Sequence, residues 1–225
     1  MAPVLERLSL EDQISASVMA SVGRAQFQPE PFPHWLIADL LPDEAARSVA
    51  TLPFDPPALG GVSGRRELHN DQRRYAAGDL LADVPVVRAI AQAFQSSPVV
   101  AALAMLTSVV LAGAFLRVEF ALDVDGFWLE PHTDLGVKLL TLFLQLGGPG
   151  QETLGTDLYR DAETWVARAP FAWNAALVFA PSERTWHGFE PRPIAGVRRS
   201  MIVNYVTSDW RAREQLASPD RPTEG

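Results

Sequence analysis

The sequence predicts an α+β fold with a mainly β core, in which antiparallel strands form a sandwich or jelly roll and N-terminal helices pack on one sheet. Three observations lead there. Past Ala114 the chain carries apolar, strand-like runs of six to ten residues separated by glycine-rich turns, with no helical pattern between them. That order favours antiparallel sheets over a parallel α/β sheet. Before Ala114, Val84 to Phe94 and Pro98 to Leu106 repeat apolar residues every three to four positions, the mark of two consecutive helices. Finally, 225 residues with 48% hydrophobic content suffice for one domain with a real core. We therefore expect a single domain over 1–225: a 1–30 extension, a 31–113 helical support, a 114–208 β core, and a 209–225 helix and tail.

In chain order, residues 1–28 read as a polar lead-in with Leu5, Leu8, Ile14 and Val18 loosely at helical spacing. Pro29, Pro31 and Pro33 break any helix, and Phe32 to Ile37 reads as a short strand entering the main body. A helix starts at Asp43 and runs to Val49, stopping before Pro53. Three glycines and two prolines between Asp55 and Gly64 make that stretch a loop and a candidate lid. After the two helices come strands at Phe115 to Leu122, Val137 to Leu146, Ala175 to Ala180 and Ser200 to Thr207. Gly147-Gly148-Pro149-Gly150 is the plainest turn among them. Asp209 to Gly225 should be a short helix with a frayed polar tail.

Composition excludes several classes. No window approaches the ~18 consecutive apolar residues of a membrane span. Glu6, Glu11 and Asp12 stand where a secretory signal would carry basic and then apolar residues. Zero cysteines remove disulfides, thiolate metal sites and cysteine nucleophiles, so a reducing cytoplasm is the expected setting. A formal charge of −8 disfavours nucleic acid, which needs a basic stripe. The pairs Arg65-Arg66 and Arg73-Arg74 read as solvated loop charges that only hint at an anionic substrate.

Chemistry concentrates in His132-Thr133-Asp134 and in His187, 53 positions after Asp134. Side chains i and i+2 of an extended segment share a face, so His132 and Asp134 can reach one ion while Thr133 points away. Two imidazoles and a carboxylate on one face of ferrous iron leave positions open for O2 and substrate. A given histidine is more often a surface or hydrogen-bonded core residue than a ligand, and three features weigh against that reading. The chain has only four histidines, His132 sits just before a buried strand, and His187 follows Val178-Phe179-Ala180 through a tight polar turn. Arg198 lies eleven positions beyond His187. Alternation puts it with Ser200, Ile202 and Asn204 on one strand face, and Arg199, Met201 and Val203 on the other. Arg198 and Ser200 can together clamp a carboxylate; the competing reading is an ion pair of Arg198 with a nearby Asp or Glu.

His132-Thr133-Asp134, Thr185-Trp186-His187-Gly188-Phe189-Glu190-Pro191 and Gly196-Val197-Arg198-Arg199-Ser200 together resemble three signature blocks of one superfamily. These are the iron(II)- and 2-oxoglutarate-dependent dioxygenases, and the likeness within them is to the prolyl-4-hydroxylase-like branch. It covers roughly Phe115 to Val206, with Phe32 to Leu52 similar to that branch's opening strand and helix. The resemblance implies a double-stranded β-helix (jelly roll) with Fe(II) held by His132, Asp134 and His187. It implies that Arg198, assisted by Ser200, binds the distal carboxylate of 2-oxoglutarate. It implies a reaction as well: O2 as cosubstrate, decarboxylation of 2-oxoglutarate to succinate and CO2, and hydroxylation of a C–H bond. Leu154-Gly155-Thr156-Asp157-Leu158 departs from the Gly-Gly-Glu/Thr-Leu that relatives often carry there.

Further candidates surround these. Arg117 and Glu119 share a face of the strand before the triad and are possible pocket residues, against an edge strand facing water. Trp128 and Glu130, just ahead of His132, are candidate substrate contacts, although Trp128 equally reads as core. Asn204, on the face of Arg198, is either a deeper pocket residue or a hydrogen-bonded core amide. His69 to Arg74 is polar enough for a substrate-facing loop, and His34 reads as structural. The expected substrate is a small molecule, or a sugar or amino-acid unit of a larger one. Two other functions compete. A cupin-like metal-binding jelly roll, acting as a sensor or binding protein, has no use for the Arg198 and Ser200 clamp. A zinc hydrolase would want a further Glu or His base, which the spacing does not offer.

Overall fold

The structure is a computed structural model and describes residues 8–56, 58–59, 64, 73–134 and 136–224. Half of the candidate lid, Arg65-Arg66, and His69 to Gln72 lie outside the described residues, as does Leu5. Helix α1 (Leu10–Val22) begins at Ser9, whose hydroxyl accepts from the Asp12 amide at 3.1 Å. Glu11 and Asp12 add negative charge at the positive helix end. Ile14, Val18 and Val22 are buried, whereas Leu8 precedes the cap and stays 61% exposed. A ribbon of β1 (Gln26–Gln28) and β2 (His34–Ile37) follows, then α2 (Asp43–Ala50), β3 (Arg74–Tyr75) and α3 (Gly78–Asp83). Two helices come next, α4 (Pro85–Gln95) and α5 (Ser97–Thr107), each with proline in its first turn, where a missing N–H loses no helix bond.

The remaining strands are β4 (Phe115–Asp123), β5 (Leu129–His132), β6 (Lys138–Leu146), β7 (Asp157–Tyr159), β8 (Trp165–Arg168), β9 (Trp173–Phe179), β10 (Trp186–Phe189) and β11 (Arg198–Val206). They form a seven-stranded sheet in the order β1-β2-β9-β6-β11-β4-β3 and a four-stranded sheet in the order β5-β10-β7-β8. Neighbouring strands run antiparallel throughout. The fold is thus a mainly antiparallel β-sandwich with helices, as the strand order predicted. Leu158 of the smaller sheet packs on Leu177 and Phe179 of the larger. On the other side of the larger sheet, Ile90, Phe94, Val99 and Leu103 of α4 and α5 join Leu116, Val118, Leu140, Leu142, Met201 and Val203 in one apolar core. Each such side chain contributes roughly 1.5–3 kcal/mol on burial.

Periodicity found the long strands and missed the smaller sheet. Its strands are only three or four residues long. Pro131 is tolerated within β5 because that strand lies at the sheet edge, where no ladder N–H is required.

The C-terminal expectation needs correction. Among the described residues from Asp209 to Glu224 there is no α-helix with a frayed tail; the regular element there is a 3-10 turn, Arg213–Gln215. Leu216, Ala217 and Thr223 are buried. The cause is the edge of β4, which β3 pairs at Glu119 and Phe120 and the following Ala76 N–H meets at Val118 O. The tail pairs with the beginning of the strand: Ala217 N–H donates to Leu116 O at 3.0 Å and Leu216 bridges to Arg117, while Thr223 N–H donates to Ala114 O at 2.7 Å just before it. Among the described residues no single helix is long and apolar enough to cross a membrane.

Candidate metal centre and its cavity

Strands β5 and β10 place His132 directly opposite His187 in the ladder, with ring centroids 4.4 Å apart. Each ring is fixed the same way. His132 Nδ1 bonds Glu130 O and His187 Nδ1 bonds Thr185 O, both at 2.9 Å. A carbonyl only accepts, so Nδ1 carries the proton and each neutral ring keeps its lone pair at Nε2, as metal-binding imidazoles require. Gly188 permits the close strand approach, since a Cβ there would meet Leu129 O at 2.8 Å. Phe179 and Phe143 close around the His187 ring at 5.1 and 5.9 Å.

Asp134 follows β5 by two residues and completes the group: one donor atom each from His132, Asp134 and His187 all lie within 4.8 Å of one another. The carboxylate is buried and already held from two sides. Lys138 Nζ donates to Oδ1 at 2.7 Å and Thr141 Oγ1 to Oδ2 at 2.8 Å. An ionised carboxylate offers about four acceptor sites, so these two bonds do not by themselves exhaust it. The donor set fits a divalent first-row metal such as Fe(II).

The cavity lies between the two sheets and extends from this group to the start of β11. Arg198, Ser200, Ile202 and Asn204 all line it, as alternation predicted; Arg199 does not. Arg198 also realises the competing expectation. Its Nη1 donates to Asp123 Oδ2 at 2.6 Å, its Nε to Leu154 O at 2.7 Å, and the guanidinium packs near the rings of Phe189 and Phe171. Arg198 and Asp123 are register partners of β11 and β4. Nη2 makes no hydrogen bond among the described residues. Arg73 reaches the same carboxylate at 2.8 Å and Glu119 at 3.6 Å. Burial pulls the Arg198 pKa down against the pull of Asp123. Burial also opposes the charge of Arg73, but Asp123 and Glu119 together raise its pKa. Both guanidiniums keep their charge.

The other candidates fall into two groups. Glu119 and Asn204 line the cavity, while Arg117 is buried behind it and bonds both, so β4 is no solvent-facing edge at these positions. Trp128 and Glu130 instead meet the 55–75 segment. A Cβ on Gly64 would lie 2.2 Å from the Trp128 ring, and Glu130 N–H donates to Gly64 O at 2.9 Å. His34 is structural: buried, bonded through Nδ1 to Phe32 O at 2.8 Å, and with its pKa lowered by burial.

Sequence reasoning missed Asp123 and Lys138, and of its two readings of Arg73 the solvated loop charge is corrected: Arg73 lines the cavity, paired with Asp123. Two signals were present. Asp123 continues the alternation of Arg117 and Glu119, and Lys138 is the single lysine of a chain that otherwise uses arginine.

No protein-family model matches the chain, and no curated protein matches it in sequence. Solved structures match over most of its length. The prolyl 4-hydroxylase structure from Phytophthora capsici aligns with TM-score 0.58 at 14% identity, covering 94% of this chain and 70% of that one. A Pseudomonas putida prolyl-4-hydroxylase aligns with TM-score 0.56 at 15% identity over 86% and 98% of the two chains. A Trichoplax adhaerens prolyl hydroxylase, in complex with a hypoxia inducible factor oxygen degradation domain peptide fragment, gives 0.54 at 16% identity over 94% and 97%. The chain therefore shares the fold of prolyl 4-hydroxylases and carries a His-Asp-His group within it.

Proposed function

We propose that the protein is an Fe(II)- and 2-oxoglutarate-dependent dioxygenase that hydroxylates a C–H bond with release of succinate and CO2. One observation carries this reading: a single cavity between the sheets holds both the His-Asp-His group and the buried cation Arg198. We read the sandwich as a double-stranded β-helix, in which β9-β6-β11-β4 and β5-β10-β7-β8 are the two four-stranded halves.

In this reading His132, Asp134 and His187 hold the iron. When bound, iron and 2-oxoglutarate supply the O2 chemistry that oxidises cosubstrate and substrate together. The chain's own residues bind, orient and exclude water. Arg198 would receive the distal carboxylate of 2-oxoglutarate, with the Ser200 hydroxyl as a further donor. Phe127, Leu129, Phe143 and Ile202 give the cavity apolar walls that limit water around the reacting groups. For the substrate, the peptide held by the Trichoplax enzyme adds a peptide-borne residue to the small molecules and sugar or amino-acid units expected from sequence. A cytoplasmic setting belongs to the same proposal.

The Arg198–Asp123 pair favours a second reading, a metal-binding sandwich without oxygenase chemistry, because it balances the charge of the guanidinium with no cosubstrate. Anaerobic loading with Fe(II) and 2-oxoglutarate followed by O2 separates the two. The dioxygenase reading predicts iron-dependent succinate, accelerated by the right substrate; metal uptake with no succinate under any substrate supports the second.

A further inference from the structure

Behind Asp134 a row of polar side chains crosses the larger sheet. Thr141 of β6 is the register partner of Asn204 of β11, and Asn204 that of Arg117 of β4. Arg117 Nη1 donates to Asn204 Oδ1 at 3.1 Å, Asn204 Nδ2 to Thr141 Oγ1 at 2.9 Å, and Thr141 Oγ1 to Asp134 Oδ2 at 2.8 Å. The direction is forced. A guanidinium only donates, so the amide must turn its oxygen to Arg117 and its N–H to Thr141. The hydroxyl then accepts from Asn204 and spends its proton on a carboxylate that only accepts. All members are buried, with Thr141 and Asn204 at 0% exposure.

We infer that Arg117, Asn204 and Thr141 form a polarised relay that positions the Asp134 carboxylate for the metal; this rests on the reading of His132, Asp134 and His187 as a metal centre. A chain of bonds running from a cation to an anion strengthens each link. Stability alone gives little reason to bury such a row, since well-packed apolar side chains do as well or better there. The far end is anchored as firmly as the near one. Arg117 donates through Nε to Gln215 Oε1 at 2.8 Å, pairs with Glu119 at 2.6 Å, and packs against the rings of Tyr75 and Trp210. The C-terminal segment thereby becomes part of the support for a metal ligand across the sheet.

The test is Co(II) binding, read by affinity and by the visible d–d spectrum. We expect Thr141→Val and Asn204→Leu each to weaken Co(II) by about 10- to 100-fold, the usual loss on removing a group that orients a metal ligand. Thr141→Ser, which keeps the hydroxyl, should restore wild-type affinity and spectrum. The double variant should bind no more weakly than either single, as members of one chain do. Should Asn204→Leu fail to fold, Asn204→Ser breaks the same link with a smaller side chain. The relay is overturned if a folded Asn204 variant binds Co(II) like wild type while Thr141→Val does not. Failure of the wild-type protein to take up Co(II) overturns the metal-centre reading instead.

Discussion

Strand β11 separates two unlike worlds. Met201, Val203 and Tyr205 face the helices and belong to a core of aliphatic and aromatic side chains. Arg198, Ser200, Ile202 and Asn204 face the cavity, where most side chains are tied by a named ionic or hydrogen-bonded partner. All of these but Ile202 are buried, so burial alone does not mark the site. What differs is redundancy. An apolar face tolerates exchange of one hydrophobic group for another of similar volume, whereas a buried charge stripped of its partner has no substitute.

The largest expected effect is on the cavity face. Asp134→Ala or His187→Ala should abolish iron binding by metal analysis, the first also lowering stability because it removes the ion-pair partner of buried Lys138; unchanged iron content in folded protein would remove the centre from these residues. Next, Arg198→Ala should raise the 2-oxoglutarate requirement by about 10- to 100-fold, the range for losing one charged hydrogen bond of about 1.5–3 kcal/mol. Arg199→Ala should change it little, and the reverse result in a titration would exchange the two arginines. On the other face the pattern inverts. Met201→Ala should lower unfolding stability by about 2–5 kcal/mol in denaturant melts yet leave metal affinity of the folded protein intact. The smallest effect sharpens the contest for Arg198. Asp123→Asn removes the charge that competes for the guanidinium and should tighten 2-oxoglutarate by about tenfold or less in calorimetry; weaker binding would make Asp123 a support of the clamp.

The contrast also explains what could be read beforehand. Long strands with one apolar face announce themselves by alternation, and β11 did so with Arg198, Ser200, Ile202 and Asn204 in phase. The His132 and Asp134 spacing was legible because two-residue periodicity fixes a shared face. Nothing local indicated that His132 and His187 would be ladder partners, because β5 and β10 are four residues each and acquire strand geometry from pairing. The C-terminal segment misled for a related reason: its order comes from the edge of β4, which is a property of the sheet. Arg117 read as a pocket or surface residue, and only the register of three strands turns it into the head of a relay.

Charge-transfer absorption on adding 2-oxoglutarate to the anaerobic Fe(II)-loaded protein most directly tests whether the triad and Arg198 form one site. A band should appear in the wild type, need far more 2-oxoglutarate with Arg198→Ala, and vanish with His187→Ala. Fe(II) bound by the triad with no band at saturating 2-oxoglutarate would contradict it.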